Sequence, residues 1–560
     1  MVGGASAEAG PHFTELAHVI PTRQLDVMPG HRSVLGRSGM VVSVNADATR
    51  VGLEILNAGG NAVDAAVAVA FVLAVTHPSA GNLGGGGFAL VRLASGEALA
   101  LDFRESSPEL LDRSRFVAMI HDGGEGQDAV AIPGSVAGLH ELSRRLGRLP
   151  FGDLVEPARQ LASAGHRVSE REATAIRSAW QKLSKVPAAR KLYGGRDRQP
   201  IPAGTSLRLA ALAETLSRVK SAGALGFYTG NVAASIVASL GNNPQIRTSD
   251  LAAYRAIWRA PLEVGYRGLR VVIMPPPSAG GVALAESLTM LEAYEPSAWA
   301  RGSVSHAHLL LEIMRRAQAD RVYAVVDPDT LDQAQQQSVV SQLLDPKRWP
   351  SRCPINLSRA TLNEEIVEPG IASIEAEHTT HLATVDQEGM SVSLTTTLSS
   401  GFGAKIFTDS GIVLNNALAS FSGKGQNQAL PNRRTTSSMA PTLIEDTTGL
   451  RLVLGTPGGD TIPSTLLQLI NSIVDYGIPI DAAVDSPRLH QSIAPNGRAR
   501  MERNRPIPKA LERQLVALGH RFINPTGVIG HANTIAIIQG KLYGYADPRE
   551  GGLALGRSTP

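Results

Sequence analysis

Thr379 stands where one bond cleavage creates an active group. Residues 375–398 read as a strand, a Gly-containing turn and a second strand, with threonine at the start of the first strand. A cut between His378 and Thr379 leaves a threonine carrying a hydroxyl nucleophile and a free α-amine on one residue. A hydroxyl is a poor nucleophile at neutral pH until a base takes its proton. A new α-amine, with a reference pKa near about 8, serves as that base without any histidine. His381, two residues along the same strand, is therefore not needed as a general base.

The surrounding sequence supplies a helix layer on sheet. Val41 to Val44 read as a short strand, followed by a helix from about Ala48 to Ala58 with Asp47 as its cap and Gly59-Gly60 as its stop. Ala62 to Thr76 is apolar nearly all round, as in a helix held between layers. Asp64 and Asn57 read as helix-end residues. Gly84 to Gly87 lacks the lysine and hydroxyl of a phosphate-binding loop and reads as structural, and strands follow at Phe88 to Arg92 and Ala98 to Phe103. The middle third is helical, for example Ser303 to Tyr323, whose charged residues read as a solvated face. Arg348 to Gly370, with Pro350, Pro354 and Pro369, reads as an extended, mobile connector before the cut. Strands are expected at 379–386, 390–398, 411–414 and 451–455, and a helix at Ser464 to Val474.

Composition narrows the function class. A chain of 560 residues with 43% hydrophobic residues and 56 glycines has volume for a large core and suits a loop-rich enzyme. The 53 basic and 50 acidic residues nearly cancel, and aromatics make up only 4%, so no nucleic-acid partner is expected. A single cysteine, Cys353, excludes a disulfide framework and a cysteine metal cluster, and the histidines lack a His-Glu-x-x-His spacing, so neither metal nor cofactor is expected. The longest apolar run, Ala65 to Thr76, is too short to span a bilayer, so no membrane partner is expected. The N-terminal stretch has no basic-then-apolar export pattern, which gives cytoplasmic residence as the expectation, although members of the family named next are often exported.

A set of motifs then names a family. In order they are Leu56 to Ala66, Gly84 to Phe88, Leu101 to Glu105, Pro133 to Gly138, Pro275 to Gly281, Thr379-Thr380-His381, Leu414-Asn415-Asn416, Ser437 to Thr442, Pro457-Gly458-Gly459 and Asp547-Pro548-Arg549. With these, the chain resembles the γ-glutamyltransferases (glutathione hydrolases) of the N-terminal-nucleophile superfamily. The resemblance implies an α+β fold, a four-layer αββα sandwich. It also implies a precursor that cuts itself into a large chain, 1–378, and a small chain, 379–560, which stay associated as one unit. Thr379 matches the nucleophile and Thr397 the second threonine that steadies it. Gly458 and Gly459 match the oxyanion-hole donors, and Arg104, Ser437 and Ser438 match the groups that hold the substrate's α-carboxylate. The substrate is then a small-molecule amide, and the acyl group passes to water or to an amine.

Three departures bear on that substrate. Where the family has Asn-Asn-x-x-Asp-Asp-Phe-Ser, Ser420 replaces the aspartate that accepts the substrate's α-ammonium. A buried ammonium left without its anion costs on the order of 2–5 kcal/mol. Ser399 stands where the family has the asparagine after its second threonine, and the span from Phe421 to Ser437 is short for a flap over the pocket. Three readings therefore stay open: an enzyme for γ-glutamyl amides such as glutathione; a glutaryl (cephalosporin-type) or oxamate-type acylase without ammonium recognition; and an uncleaved, inactive paralogue that binds a carboxylate at Arg104.

Overall fold

A computed structural model describes residues 18–347, 354–362, 365–366, 378–422, 427–493, 497–523, 525 and 527–558. The site-bearing strands are β1 Val34–Gly36, β2 Met40–Ser43, β3 Gly86–Arg92, β4 Ala98–Phe103, β5 Ile257–Arg259, β6 Leu262–Tyr266 and β7 Leu269–Ile273. They continue with β8 Thr379–Val385, β9 Ser391–Thr397, β10 Thr442–Asp446, β11 Gly449–Leu454, β12 Asn533–Ile538, β13 Lys541–Ala546 and β14 Leu553–Gly556. They form two seven-stranded sheets, in the orders β14-β2-β8-β9-β3-β4-β5 and β1-β13-β12-β11-β10-β7-β6. All pairings in both are antiparallel.

Helices α1 Ala46–Asn57, α2 Ala62–Thr76 and α3 Ser135–Leu146 contact the first sheet; α4 Ala279–Glu292 contacts the second, and α5 Val304–Ala324 and α6 Ile462–Val474 lie on its side of the core. Strand alternation decides which residues face which layer. In β8 and β9, Leu382, Val392 and Leu394 join the core under α1 and α2. Ala383 and Val385 join the second core with Leu443, Val453 and Leu454 of the other sheet. Thr379, His381, Thr395 and Thr397 share the parity of Ala383, so they face the second sheet. Two hydrogen bonds cross there, from Ser393 Oγ to the Leu454 carbonyl (2.8 Å) and from Asn533 Nδ2 to the His381 carbonyl (2.7 Å).

Most expected elements form, with three corrections. The cap of α1 is Asn45, whose side chain accepts from the Asp47 and Ala48 amides, so Asp47 sits inside the first turn. Helix α6 starts at Ile462 rather than Ser464, because Pro463 in the first turn needs no amide donor. The charged residues of α5 are not a solvated face. Glu312, Arg315, Arg316, Asp320 and Arg321 are all buried; Arg315 and Arg316 pair with Glu312, Arg316 also donates to the Glu312 carbonyl, and Arg321 bonds Ser438 Oγ.

Much of the expected connector lies outside the described residues. The part at 354–361 is pinned: Arg316 Nη2 donates to the Pro354 carbonyl (3.1 Å), the Thr361 amide donates to Glu312 (3.2 Å), and the Ala360 amide donates to the Leu518 carbonyl (2.6 Å). Among the described residues no helix is long and apolar enough to cross a membrane.

Candidate active site

Thr379 opens β8 and lies directly opposite Thr397, which closes β9. Both are buried. The Thr379 hydroxyl donates to Thr397 Oγ1 (3.3 Å), and the Thr397 hydroxyl donates to the His378 carbonyl oxygen (2.8 Å). The Ser399 amide donates back to Thr397 Oγ1 (2.9 Å), which fixes the rotamer of that hydroxyl. One threonine thus touches both the Thr379 hydroxyl and the His378 carbonyl.

The turn after β9 holds this geometry under strain. Ser399 (φ 72°), Phe402 (58°) and Lys405 (61°) all adopt left-handed backbone, which costs on the order of 1 kcal/mol or more for each non-glycine residue. Lys405 Nζ compensates by donating to the Gly401 (2.6 Å) and Gly403 (3.0 Å) carbonyls. Asn416 clasps Ser400 from both amide atoms, at 2.8 Å each. Gly401 packs against the His378 ring, which a Cβ at 2.8 Å would force to move. Ser399 Oγ is buried with no partner among the described residues. His381 bonds Thr395 Oγ1 through Nδ1 (2.9 Å), and burial pulls its pKa down to about 3, so it is a neutral packing residue.

Gly458 and Gly459 lie in the turn between β11 and α6, with φ 137° and 57°. A Cβ on Gly458 would fall 2.5 Å from Thr461 Oγ1 and 3.1 Å from Gly530. Among the described residues neither glycine amide has a hydrogen-bond acceptor, although the Gly458 carbonyl accepts from Thr461 Oγ1 (2.8 Å). The turn begins against β8: a Cβ on Gly455 would strike the His381 ring at 2.1 Å. Gly458 and Gly459 thus lie in the short turn that leads from β11 towards α6 and that starts beside the Thr379 strand.

Arg104 follows β4 on the same sheet face, in the row that runs Thr379, Thr397, Gly86. Its side chain is fully buried. Nη1 bonds Glu105, while Nε and Nη2 have no partner among the described residues. That leaves the side of the guanidinium fork that takes a carboxylate with two parallel bonds. Glu105 Oε1 is also unpaired, and burial raises the Glu105 pKa against the pull of Arg104. The glycines between Thr397 and Arg104 act as close-packing residues, since a Cβ on Gly86 would lie 2.6 Å from Glu105 Oε2 and one on Gly87 2.4 Å from the Thr395 carbonyl.

Ser437 and Ser438 are buried beside the Pro275 to Gly281 loop. The Gly280 amide donates to the Ser437 carbonyl (3.0 Å), and a Cβ on Gly280 would overlap the Ser438 carbonyl at 1.9 Å. Arg321 of α5 hydrogen-bonds Ser438 Oγ. Ser420 ends a short turn of helix, half-buried, and its carbonyl accepts from Asn427 (2.9 Å).

Other polar groups at the site carry no sequence signal of their own. Arg434 reaches the Asp102 and Arg104 backbone, three residues before Ser437. Arg171 donates to His77 Nε2 (3.3 Å), bonds His531 Nε2 (3.1 Å) and pairs with Glu550. Burial holds both of those histidines well below their usual pKa. Leu414-Asn415-Asn416 and Asp547-Pro548-Arg549 prove to be scaffold. Asn415 ties Gly84 to Ala131, and Asp547 pairs with Arg488 (2.7 Å), which itself holds the Gly530 carbonyl behind Gly458. His308, Glu312 and His520 converge, but His308 Nδ1 bonds His520 Nε2 directly (2.7 Å) and Glu312 is taken by Arg316 and Thr361, which leaves no ligand set facing a cation.

Comparison with known proteins gives the class. The family model for gamma-glutamyltranspeptidase matches residues 48–556. The chain therefore belongs to the gamma-glutamyltranspeptidase family. It is 35% identical over 540 residues to the glutathione hydrolase proenzyme of Escherichia coli K12, covering 92% of this chain and 91% of that one. It is 32% identical over 522 residues to the acylase ACY 1 proenzyme of Pseudomonas sp. V22, covering 90% of each. In three dimensions it is similar to the crystal structure of cephalosporin acylase from Bacillus halodurans, with TM-score 0.83 and 26% identity over 98% of this chain and all of that one.

Proposed function

We propose that this chain is a self-processing threonine amidohydrolase and acyltransferase that cuts itself between His378 and Thr379 into chains 1–378 and 379–560. The observation that carries the proposal is the relay from the Thr379 hydroxyl to Thr397 and on to the His378 carbonyl. In self-cleavage the Thr379 oxygen attacks the His378 carbonyl carbon, and Thr397 donates to the oxygen that gains charge. The hydroxyl proton passes to the nitrogen as the C–N bond breaks to an ester, water hydrolyses the ester to leave a His378 carboxylate, and Thr379 regains its hydroxyl and keeps a free amine. In turnover that amine takes the hydroxyl proton and the oxygen attacks a substrate amide. The Gly458 and Gly459 amides hold the oxyanion, the substrate amine leaves with the proton, and water or an acceptor amine releases the acyl group. Arg104 with Ser437 and Ser438 anchors the acyl group's carboxylate, supported by the unpaired Nε and Nη2 of Arg104.

The two sheets and the helices on their outer faces read together as four layers, α-β-β-α. Their support is the pair of hydrogen bonds between the sheets and the two separate apolar cores.

The acyl group is γ-glutamyl in the first reading, as in the glutathione hydrolases the chain is similar to. A second reading, a glutaryl-type acyl group, rests on Ser420: a hydroxyl there offers no anion to an α-ammonium, whereas an acyl group without the ammonium loses nothing. Turnover of γ-glutamyl and glutaryl p-nitroanilide by the purified, cleaved protein decides between them. A protein that stays uncleaved and turns over neither would be the carboxylate-binding paralogue.

A further inference from the structure

We infer that Arg434, together with Tyr254, is the positioning residue for Arg104, and that it ties the two halves of the acid-binding subsite together across the chain break. The inference rests on the reading of Arg104 above and goes beyond it. Arg104 is aimed by its backbone, and that backbone is held at both ends. Its amide donates to Asp102 Oδ1 (2.8 Å). Its carbonyl accepts from Tyr254 Oη (2.7 Å) and from Arg434 Nη1 (3.3 Å). The same Nη1 reaches the Asp102 carbonyl (3.2 Å), Asp102 Oδ1 (3.1 Å) and Tyr254 Oη (3.2 Å), while Nη2 takes the Arg255 carbonyl (2.6 Å). The Arg434 guanidinium also lies over the Tyr254 ring, 5.2 Å from its centre, and Tyr254 is stacked on Tyr228.

Arg434 is itself fixed where it leaves the main chain. Its amide donates to Asp327 Oδ2 (2.7 Å), it bridges Ser106, and the neighbouring Arg433 carbonyl accepts from the Ser107 amide (2.8 Å). Three residues later the same segment delivers Ser437 and Ser438. Arg434 therefore sets the distance between an arginine on residues 1–378 and two serines on residues 379–560, which after cleavage no peptide bond connects. Asp102 completes the joint by pairing with Arg259, which is bidentate on Asp329 (2.8 Å for each bond). A long side chain such as Arg104 magnifies any shift at its root, and small misplacements of a binding group weaken binding steeply.

The test uses whichever of γ-glutamyl and glutaryl p-nitroanilide the cleaved wild-type protein turns over faster. Tyr254→Phe removes one hydroxyl and keeps the ring packing. It is expected to raise KM about 2- to 10-fold, the effect of one lost buried hydrogen bond, with kcat within about twofold and cleavage complete on a gel. Arg434→Gln is expected to raise KM further, with Arg434→Lys between it and the wild type. An unchanged KM in Tyr254→Phe, or a fall in kcat at constant KM, overturns the inference. The parent reading fails in a different way: the wild type turns over neither anilide, or Arg104→Ala leaves KM unchanged.

Discussion

A single hydroxyl, that of Thr397, serves two events that are separable by experiment. Before cleavage it donates to the His378 carbonyl at 2.8 Å, and it accepts from the Thr379 hydroxyl at 3.3 Å. Thr397→Val keeps the shape and removes the donor, so self-cleavage is expected to slow about 10²- to 10³-fold, as when an oxyanion donor is deleted. Thr379→Ala is expected to leave one band of 560 residues in place of bands of 378 and 182. Gel densitometry over time measures both, and normal cleavage in Thr397→Val would remove that threonine from the mechanism. Ser420 carries the specificity prediction: Ser420→Asp supplies an anion for an ammonium and is expected to shift the ratio of kcat/KM for γ-glutamyl over glutaryl anilide upward tens-fold or more, from about 2–5 kcal/mol. The Thr379–Thr397 strand pair was legible because two threonine-rich runs flank a Gly-containing turn, whereas the proposed role of Thr379 came from the ordered family motifs and not from its own strand. Arg434 was not legible. Its role depends on contacts with residues 102–104 and 254, and an arginine before a serine pair carries no spacing rule.

At the scale of elements, the turns at the ends of β9 and β11 do the work and the strands supply the platform. The turn after β11, the proposed oxyanion site, has glycine because Gly458 combines φ 137° with a Cβ position 2.5 Å from Thr461 Oγ1. Gly458→Ala is therefore expected to lower kcat for anilide turnover about 10²- to 10³-fold. Because the oxygen of the scissile carbonyl is held by Thr397 rather than by this turn, the same variant is expected to cut itself normally. Two bands on a gel with little turnover is the expected pair of results, and an uncut chain would show that both oxyanions share one site. The strands and apolar helices were readable here from composition and length, since α2 is a nearly unbroken apolar run and β8 and β9 are short Thr- and Val-bearing runs around a Gly-containing turn, all buried at every position. The charged face of α5 was misread because periodicity reports where charges fall around a helix, and says nothing of the buried carbonyls and ion partners that Arg316 and Glu312 meet.

For the molecule as a whole, buried histidines tie folding to pH. Burial lowers the pKa of His381 to about 3 and of His520 to about 4, the latter against the pull of Glu312, and pushes His77 and His531 well down. Unfolded histidine titrates near about 6.5, so below that pH the unfolded chain takes up protons that the folded chain refuses. The stability from these groups is complete above about pH 6.5 and is lost as pH falls towards their folded values. Each strongly shifted histidine accounts for about 2 kcal/mol between pH 7.5 and 5. Asp327 runs the other way: burial raises its pKa to about 6, so it favours the folded state as pH falls through that value and offsets part of the loss. His520 separates the contributions. It lies far along the chain from the cut and meets His308 through one hydrogen bond of 2.7 Å, which a glutamine amide can replace. Urea unfolding of the uncleaved Thr379→Ala protein, with and without His520→Gln, gives the comparison within one cooperative chain. The double variant is expected to lose about 2 kcal/mol less than Thr379→Ala alone between pH 7.5 and 5. Equal losses would mean that His520 is charged in the folded protein.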